Sequence, residues 1–373
     1  MSSKQNNNMG TKLDILPIDQ WFDTEGKPLI ISGPCSAETE EQVLSTGRAL
    51  SKIPEVKMIR AGIWKPRTRP DIFEGVGEIG LQWLKKLKTE TGLKTCVEVA
   101  NPQHIEACLK NDVDVLWVGA RTTANPFSVQ ELADTLKGVD IPIMVKNPLH
   151  PDLKLWIGAL ERFNQAGIKK LAAIHRGFYT YEKTPYRNLP MWEIPIELKR
   201  IVPNLAVITD PSHICGNREL LQNISQKAMD LAMDGLMLES HIDPSVALTD
   251  ASQQLEPKDL QSLLNNLVHR QEFGTEDFEN ILEKLRFEID HIDEELLTIL
   301  TRRMHKIEKI GHYKKANNIT VLQMDRLRHM MISRLKMGKD LGLDNKFVLK
   351  LLQLVHKDSI QVQTQIMTDK NKH

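Results

Sequence analysis

Short apolar segments recur along the first two thirds of the chain, and each is followed by a longer stretch with helical spacing. Eight of them lie between about residues 28 and 241: LIISGPCS, VKMIRAGIW, KTCVEVA, VLWVGA, IPIMVKN, KLAAIHRG, LAVITDPSH and GLMLESH. Segments this apolar are typical of strands buried on both faces of a parallel sheet. Eight strands alternating with helices predict a (β/α)₈ TIM barrel. A doubly wound open sheet is the alternative, which the lack of a glycine-rich fingerprint disfavours.

The last third of the chain has a different period. From about Thr275, apolar residues fall at every third or fourth position over many turns without a proline. This stripe is typical of one long amphipathic helix, and its length indicates packing along a partner. Two more helices are predicted at about residues 325–338 and 345–367. The expected domains are a barrel at 1–271 with a short extension at 1–27, a linker at 272–279, and an all-α domain of three helices at 280–373 that dimerises.

Composition narrows the class of protein. The chain has 373 residues, and its 49 Lys and Arg balance its 49 Asp and Glu, which argues against a general nucleic-acid binder. The four cysteines form no CxxC pair, so a secreted disulfide framework is disfavoured. The amino terminus MSSKQNNNMG lacks the pattern of a signal peptide, and no apolar run is long enough to cross a bilayer. We expect a cytoplasmic protein without a membrane or nucleic-acid partner.

Polar side chains gather where the predicted strands end. They are Cys35, Lys65, Glu98, Arg121, Lys146, His175, Arg176, His213 and Glu239. One such residue taken alone is more often structural than functional. In a barrel, however, all strands end on one face, where active sites lie, so the repetition predicts a functional site there.

Positive charge is densest in the stretch IRAGIWKPRTRP at residues 59–70. Two prolines stiffen this segment, and guanidinium groups suit phosphate and carboxylate. Taken alone, the stretch is about equally well explained as a solvated loop. Together with Arg121, Lys146 and Arg176 at other strand ends, it predicts a site for a ligand with more than one anionic group.

A second set of residues has the composition of a metal site. Cys35, His213, Glu239 and Asp250 offer a thiolate, an imidazole and two carboxylates, which suit a divalent metal. His241 is an alternative source of the imidazole. Because a lone cysteine is often only a small buried apolar residue, the metal hypothesis depends on all four residues meeting at one face.

The ordered motifs GPCSAE, RAGIWKPRT, GART, VKN, HRG, DPSH and TDASQQL resemble the type I 3-deoxy-D-arabino-heptulosonate 7-phosphate (DAHP) synthase family over about residues 28–271. That family condenses phosphoenolpyruvate with erythrose 4-phosphate. The resemblance implies one divalent metal, Mn²⁺ first and Fe²⁺, Co²⁺ or Zn²⁺ as alternatives, on Cys35, His213, Glu239 and Asp250. It implies that phosphoenolpyruvate binds to Arg60, Lys65, Arg121, Lys146 and Arg176, and erythrose 4-phosphate to Arg67 and Thr68. Lys65 and His175 are candidates for proton transfer, and Cys35 is counted with the catalytic residues as a metal ligand.

A related barrel family is the closest rival. It makes 3-deoxy-octulosonate 8-phosphate from phosphoenolpyruvate and arabinose 5-phosphate, and its acceptor loop reads more like KANRS. The present chain has KPRT at residues 65–68, which favours the four-carbon acceptor.

The tail carries a second resemblance. LRFEIDHIDEELLTILTRRMHKIEKIGHYKK, DRLRHMM and LLQLVHKDSIQVQ resemble the all-helical, type II chorismate mutase family over about residues 280–367. The resemblance implies that the carboxylates of chorismate or prephenate bind to Arg286, Arg303 and Arg326. It implies that Lys314 and Gln363 donate to the ether oxygen with Ser359 as a helper, and that two chains intertwine so that Arg286 reaches the partner's site.

Two departures from the mutase pattern keep two hypotheses open. Leu327 and Gln323 stand where the family often has acidic residues facing the substrate hydroxyl. The first hypothesis is a bifunctional shikimate-pathway enzyme whose tail mediates feedback inhibition by prephenate or chorismate. The alternative is a monofunctional DAHP synthase whose tail is a ligand-sensing dimerisation module.

Overall fold

The computed structural model describes residues 13–65, 73–270 and 274–369, and the chain divides into two compact units, Met1–Glu272 and Phe273–His373. In the first unit, eight parallel strands follow one another in chain order and close between the first and the last. They are β1 Leu29–Gly33, β2 Val56–Ala61, β3 Lys94–Val99, β4 Val115–Val118, β5 Ile143–Lys146, β6 Leu171–His175, β7 Ala206–Thr209 and β8 Gly235–Glu239. The predicted barrel is confirmed, and the open-sheet alternative is wrong.

Helices follow the strands. They are α1 Glu40–Leu50, α2 Ile79–Thr91, α3 Pro102–Lys110, α4 Ala120–Thr123, α5 Pro126–Thr135, α6 Leu153–Gln165, α7 Glu193–Ile201, α8 Pro211–Cys215, α9 Leu221–Asp230 and α10 Pro257–Asn265. Several begin at a polar cap: Asn101 accepts a hydrogen bond from the His104 amide before α3, and Asp152 accepts one from the Leu155 amide before α6. Local sequence therefore sets where these helices start.

Alternation along the strands separates two cores. Leu29, Met58, Cys96, Met144 and Met237 belong to a cluster inside the barrel, whereas their chain neighbours pack with the helices outside. Because side chains alternate between the two faces of a strand, the next inward positions toward the carboxyl ends carry different chemistry. These positions are Arg60, Glu98, Lys146 and Glu239. The interior thus changes from apolar to charged at the barrel mouth.

The segment before β1 packs against the inner cluster. Ile18, Trp21 and Phe22 contact it, and the Leu16 amide donates to the Lys169 carbonyl just before β6. These contacts lie at the amino ends of the strands. Residues 13–27 therefore cover the end of the barrel opposite the mouth, a role that the sequence analysis did not assign to this extension.

The second unit contains three helices, α11 Glu276–Ala316, α12 Met324–Asp340 and α13 Asn345–Thr368. The first begins inside the predicted linker, because the Thr275 side chain accepts a hydrogen bond from the Phe278 amide and acidic residues fill the first turn. Small residues let the helices approach: Gly311 of α11 lies against Ile366 of α13. None of the helices that the structure describes combines the length and hydropathy needed to span a bilayer.

An apolar stripe on α11 is exposed in the single chain. Leu285, Ile289, Ile292 and Leu296 are each about half exposed or more, at 50%, 56%, 60% and 49%. This is the stripe that the sequence analysis assigned to a partner. Dimerisation of the tail stays a prediction.

Candidate active site

The inward residues at the barrel mouth form a layer of paired charges. Lys146 Nζ lies 2.8 Å from Asp210 Oδ2, and Arg60 Nη1 lies 3.2 Å from Glu239 Oε1, with all four side chains buried. Both cations stand over the Trp117 ring, at 5.1 Å for Arg60 and 5.9 Å for Lys146. Buried charges need such partners, so the layer is held in fixed positions.

Arg60 nevertheless keeps unused donors. The pair with Glu239 is not aligned as a hydrogen bond, and Arg60 Nε and Nη1 are buried without a hydrogen-bond partner among the described residues. Buried donors are almost always satisfied in folded proteins. Two unsatisfied donors on one buried guanidinium point to an anionic ligand.

Two further cations belong to the same layer. The Lys65 ammonium contacts the Cys35 carbonyl oxygen and lies 3.2 Å from Cys35 Sγ. The buried Arg176 donates to Asn188 Oδ1 at 2.7 Å. Burial lowers the pKa of Arg176 to about 10, and the charges of Arg187 and Arg121 add to this effect while Asp210 opposes it. The like charges therefore lie close enough to repel one another, which an anion between them would relieve.

The metal candidates meet beside these cations. Ligand atoms of Cys35, Glu239 and Asp250 all lie within 4.8 Å of one another. Cys35 Sγ is 3.4 Å from Asp250 Oδ2, and His213 Nε2 is 3.8 Å from Glu239 Oε1. His241, the alternative imidazole, instead places its Nε2 3.9 Å from Glu38 Oε2. Three of the four predicted residues, Cys35, Glu239 and Asp250, thus converge. Of the two histidines, His213 is the one beside Glu239, although its ring nitrogens fall outside that group.

Contacts around this set fix its side chains. His213 Nδ1 lies 2.9 Å from Asp210 Oδ2, so the Nε2 lone pair faces Glu239 when Nδ1 carries the proton. Gln253 Nε2 donates to Glu239 Oε2 at 2.6 Å, and Arg187 Nη1 donates to Asp250 Oδ1 at 3.0 Å. Sequence reasoning passed over Asp210, Gln253 and Arg187. The first two lie inside the quoted motifs DPSH and TDASQQL, which was the available signal.

The electrostatics of the set match a divalent cation. Burial, with a smaller contribution from Glu239, raises the pKa of the Cys35 thiol to about 12. Burial also lowers the pKa of His213, against the opposing charges of Asp210 and Glu239. For Glu239, burial acts to raise the pKa, but the charges of His213 and Arg60 outweigh it and the net shift is downward. An imidazole, two carboxylates and a thiol are the donor set that transition metals bind, and a bound cation would favour the thiolate form of Cys35.

The structure does not bring His175 to this layer. It belongs to the outward series of β6 with Leu171 and Ala173, and its ring lies 5.0 Å from Trp192. His175 Nε2 lies 2.6 Å from the Pro190 carbonyl oxygen, and burial lowers the pKa of the ring to about 4. The strand alternation points Arg176, not His175, into the mouth, because only alternate residues face inward. The placement of His175 does not support the predicted proton transfer.

The predicted acceptor residues Arg67 and Thr68 lie outside the described residues. The flanking backbone is tied together, since the Lys65 amide donates to the Glu74 carbonyl at 2.8 Å and the Gly77 amide to the Ile63 carbonyl at 2.9 Å. Trp64 stacks on His104 with ring centroids 3.8 Å apart. Lys65 is therefore held by contacts on both sides of its position.

The tail holds a smaller polar cluster. Arg303 Nη1 of α11 donates to Ser359 Oγ of α13 at 2.7 Å, and Gln363 Nε2 donates to the Ser359 carbonyl at 3.1 Å. Lys314 Nζ donates to the Val321 carbonyl at 2.6 Å. The structure thus joins Arg303, Ser359 and Gln363. Arg286 and Arg326 are exposed, and Arg286 pairs with Glu283 at 2.8 Å.

A closed parallel barrel with buried cations and a group of candidate metal ligands at its carboxyl end defines the class: a (β/α)₈ barrel protein whose candidate site lies at the mouth. Residues 15–275 match the model of the DAHP synthetase I family, and the chain belongs to that family. Residues 285–364 match the model of chorismate mutase type II. Both resemblances read from the sequence are confirmed.

Individual relatives include both a heptonate aldolase and an octonate aldolase. The phospho-2-dehydro-3-deoxyheptonate aldolase of Thermotoga maritima is 30% identical over 227 residues, which cover 61% of this chain and 65% of that protein, just under two thirds of its length. A 2-dehydro-3-deoxyphosphooctonate aldolase of a Synechococcus species is 25% identical over 276 residues, covering 68% and 92%. A crystal structure of the Thermotoga maritima DAHP synthase superposes with a TM-score of 0.60 at 27% identity, covering 68% of this chain and 71% of that one.

Proposed function

We propose that the barrel condenses phosphoenolpyruvate with erythrose 4-phosphate to give DAHP and phosphate. The observation that carries this proposal is the buried cation layer at the mouth, above all the unsatisfied donors of Arg60. Phosphoenolpyruvate carries a phosphate and a carboxylate, so it can occupy more than one of these cations at once. Arg60, Lys65, Arg121, Lys146 and Arg176 are the proposed binding residues.

Fixed cations serve both binding and catalysis in this proposal. They hold C3 of phosphoenolpyruvate toward the aldehyde carbon of the sugar. After the new C–C bond forms, water adds to C2 and phosphate leaves by cleavage of its C–O bond. Because Arg60 and Lys146 are already fixed by Glu239 and Asp210, they stabilise the departing phosphate with little reorganisation.

Cys35, His213, Glu239 and Asp250 are the proposed metal ligands, and members of this family are generally metal-dependent. These residues would hold a divalent cation, which would supply Lewis-acid polarisation of the acceptor aldehyde. Mn²⁺ is the first candidate, with Fe²⁺, Co²⁺ and Zn²⁺ as alternatives. Asp210 and Gln253 keep His213 and Glu239 in their orientations whichever metal binds.

Lys65 is the proposed proton donor or acceptor at the mouth. Its Nζ contacts Cys35, so this member of the cation layer lies beside a proposed metal ligand. From there it can hold a proton beside the water that adds to C2. His175 has no role in this proposal.

The acceptor test compares two sugars. We expect consumption of phosphoenolpyruvate with erythrose 4-phosphate and not with arabinose 5-phosphate, with activity lost in chelator and restored by Mn²⁺. Turnover with arabinose 5-phosphate alone would move the barrel to the octulosonate class found among its relatives. Turnover with neither sugar in metal-replete protein would refute the proposed condensation.

We propose that the tail rearranges chorismate to prephenate. The supporting observation is the Arg303–Ser359–Gln363 cluster, in which a guanidinium of α11 meets a hydroxyl and a buried amide of α13. The reaction needs only a dicarboxylate held in a compact conformer and donors for the ether oxygen, here Lys314 and Gln363. Loss of chorismate with wild-type protein, and at least about a hundredfold slower loss with Arg303→Ala, is the expected result.

We propose a dimer that forms through the exposed stripe of α11 and lets Arg286 reach the partner's site. A contiguous apolar stripe of this length is costly to leave in water. Ile289→Lys should lower the molar mass by sedimentation and reduce mutase activity, while Lys306→Ala on the same helix should change neither. A wild-type monomer with full mutase activity would contradict the proposal.

Feedback inhibition is the proposed link between the two activities, with prephenate or chorismate bound to the tail inhibiting the barrel. The test is the synthase rate with and without saturating prephenate, in wild type and in Arg303→Ala. Inhibition of wild type alone supports the link. Equal synthase rates with and without prephenate in the wild type would refute feedback inhibition. If the tail binds prephenate but does not convert chorismate, the alternative of a ligand-sensing dimerisation module is favoured.

A further inference from the structure

Helix α13 carries two buried polar atoms that stand out in the part of the tail that the structure describes. They are Gln363 Oε1 and His356 Nε2, and neither has a hydrogen-bond partner among the described residues of the tail. Gln363 is 7% exposed, so its orphan oxygen is deeply placed. An unsatisfied buried polar atom costs free energy, so each one needs an explanation.

His356 belongs to the same face as the cluster already described. It precedes Ser359 by three residues and Gln363 by seven, which places all three along one side of the helix. Ser359 in turn receives the hydrogen bond from Arg303. The orphan nitrogen of His356 therefore lies about one helical turn from the contact that joins α11 to α13.

The charge of Arg303 also reaches this ring. Burial lowers the pKa of His356, and Arg303 lowers it further. The ring is thus neutral near pH 7 and has one N–H to donate. A neutral N–H donor and a guanidinium are both groups that hydrogen-bond to an anion.

We propose that His356 Nε2 donates a hydrogen bond to the carboxylate that Arg303 binds. This inference rests on the proposed function of the tail and adds a binding residue to it. It accounts for a buried nitrogen that has no hydrogen-bond partner within the part of the chain that the structure describes. The ligand class is a small dicarboxylate, and prephenate is the probe.

Three substitutions in the full-length protein separate a hydrogen bond from mere packing. His356→Gln keeps an amide N–H at about the reach of Nε2, whereas His356→Asn is polar but too short, and His356→Leu is apolar. The measurement is the Kd of prephenate by titration calorimetry. We expect Leu and Asn to weaken binding about tenfold and Gln to stay within about threefold of wild type, because a hydrogen bond to a charged group is lost only in the first two.

The controls distinguish the possible failures. Circular dichroism and sedimentation establish that each variant keeps its helices and its oligomeric state. If wild type binds prephenate and all three variants bind equally well, or all three lose affinity equally, the hydrogen bond from His356 is refuted while the tail's proposed function stands. If wild type itself binds no prephenate, the proposed function falls and this inference falls with it.

Discussion

The barrel and the tail differ in how far their charged side chains are buried and paired. At the barrel mouth the charged side chains are buried and paired within one chain, as with Arg60 and Glu239, whose side chains are 2% and 0% exposed. In the tail, Arg286 is 57% exposed and its neighbouring apolar stripe is uncovered. The strands enclose their site by alternation, whereas three helices enclose only part of theirs. The charge pairs described at the barrel mouth thus lie within one chain, whereas the proposed tail site is expected to need a second.

Metal removal should separate the two regions most strongly. Dialysis against chelator should lower synthase activity at least about a hundredfold, because the proposed metal supplies the Lewis acid at the aldehyde. Mutase activity of the same sample should be unchanged, since its proposed donors are Arg303, Lys314 and Gln363. Both rates are measured on one preparation before and after Mn²⁺ is restored. Parallel loss of both activities would contradict independent sites.

Two arginine substitutions should show that removing a buried charge costs more stability than removing an exposed one. Arg60→Met leaves Glu239 buried without its cation and should destabilise the barrel by about 3–5 kcal/mol. Arg286→Met removes an exposed pair with Glu283 and should change stability by about 0.5 kcal/mol or less.

Urea unfolding followed by tryptophan fluorescence measures this contrast in the barrel, because all six tryptophans of the chain precede residue 273. Circular dichroism follows the unfolding of the tail helices, which contain no tryptophan. Equal stability losses in the two variants would mean that Arg60 is solvated in solution.

These contrasts also explain what could be predicted from sequence. Apolar strand segments and strand-end polar residues indicated the barrel and its cation layer, because burial and alternation are local properties of the chain. His175 could not be placed, since a shift of one residue moves a side chain to the opposite face. Arg187 and Gln253 were missed because their role depends on meeting Asp250 and Glu239 across the fold.

A carboxylate at the edge of the barrel should give a smaller, pH-dependent effect. Asp114 accepts hydrogen bonds from the Thr95 amide at 2.9 Å and from Lys88 Nζ at 2.8 Å. Burial acts to raise the pKa of Asp114, but these bonds outweigh it, so the net shift is downward. A lowered pKa stabilises the fold above the unfolded value near 4, and this stability is lost as pH falls through the folded value.

Asp114→Asn should therefore lower barrel stability by about 1–3 kcal/mol at pH 7, and the difference from wild type should shrink below about pH 4. Asp112→Asn is the matched control, because Asp112 pairs with Lys85 at the surface. Its unfolding midpoint should equal that of wild type. A difference for Asp114→Asn that stays constant from pH 7 to pH 3 would exclude the ionised carboxylate as the cause.

The smallest effect is expected where the tail begins. Thr275 caps α11 by accepting a hydrogen bond from the Phe278 amide, so Thr275→Ala should destabilise the tail by about 1 kcal/mol. Thr275→Ser keeps the hydroxyl and should match wild type. Circular dichroism should detect the loss in the tail, while the tryptophan-detected transition of the barrel stays unchanged. If the tryptophan transition shifts with Thr275→Ala as well, the two units unfold together, and the contrast drawn between their sites does not extend to their stabilities.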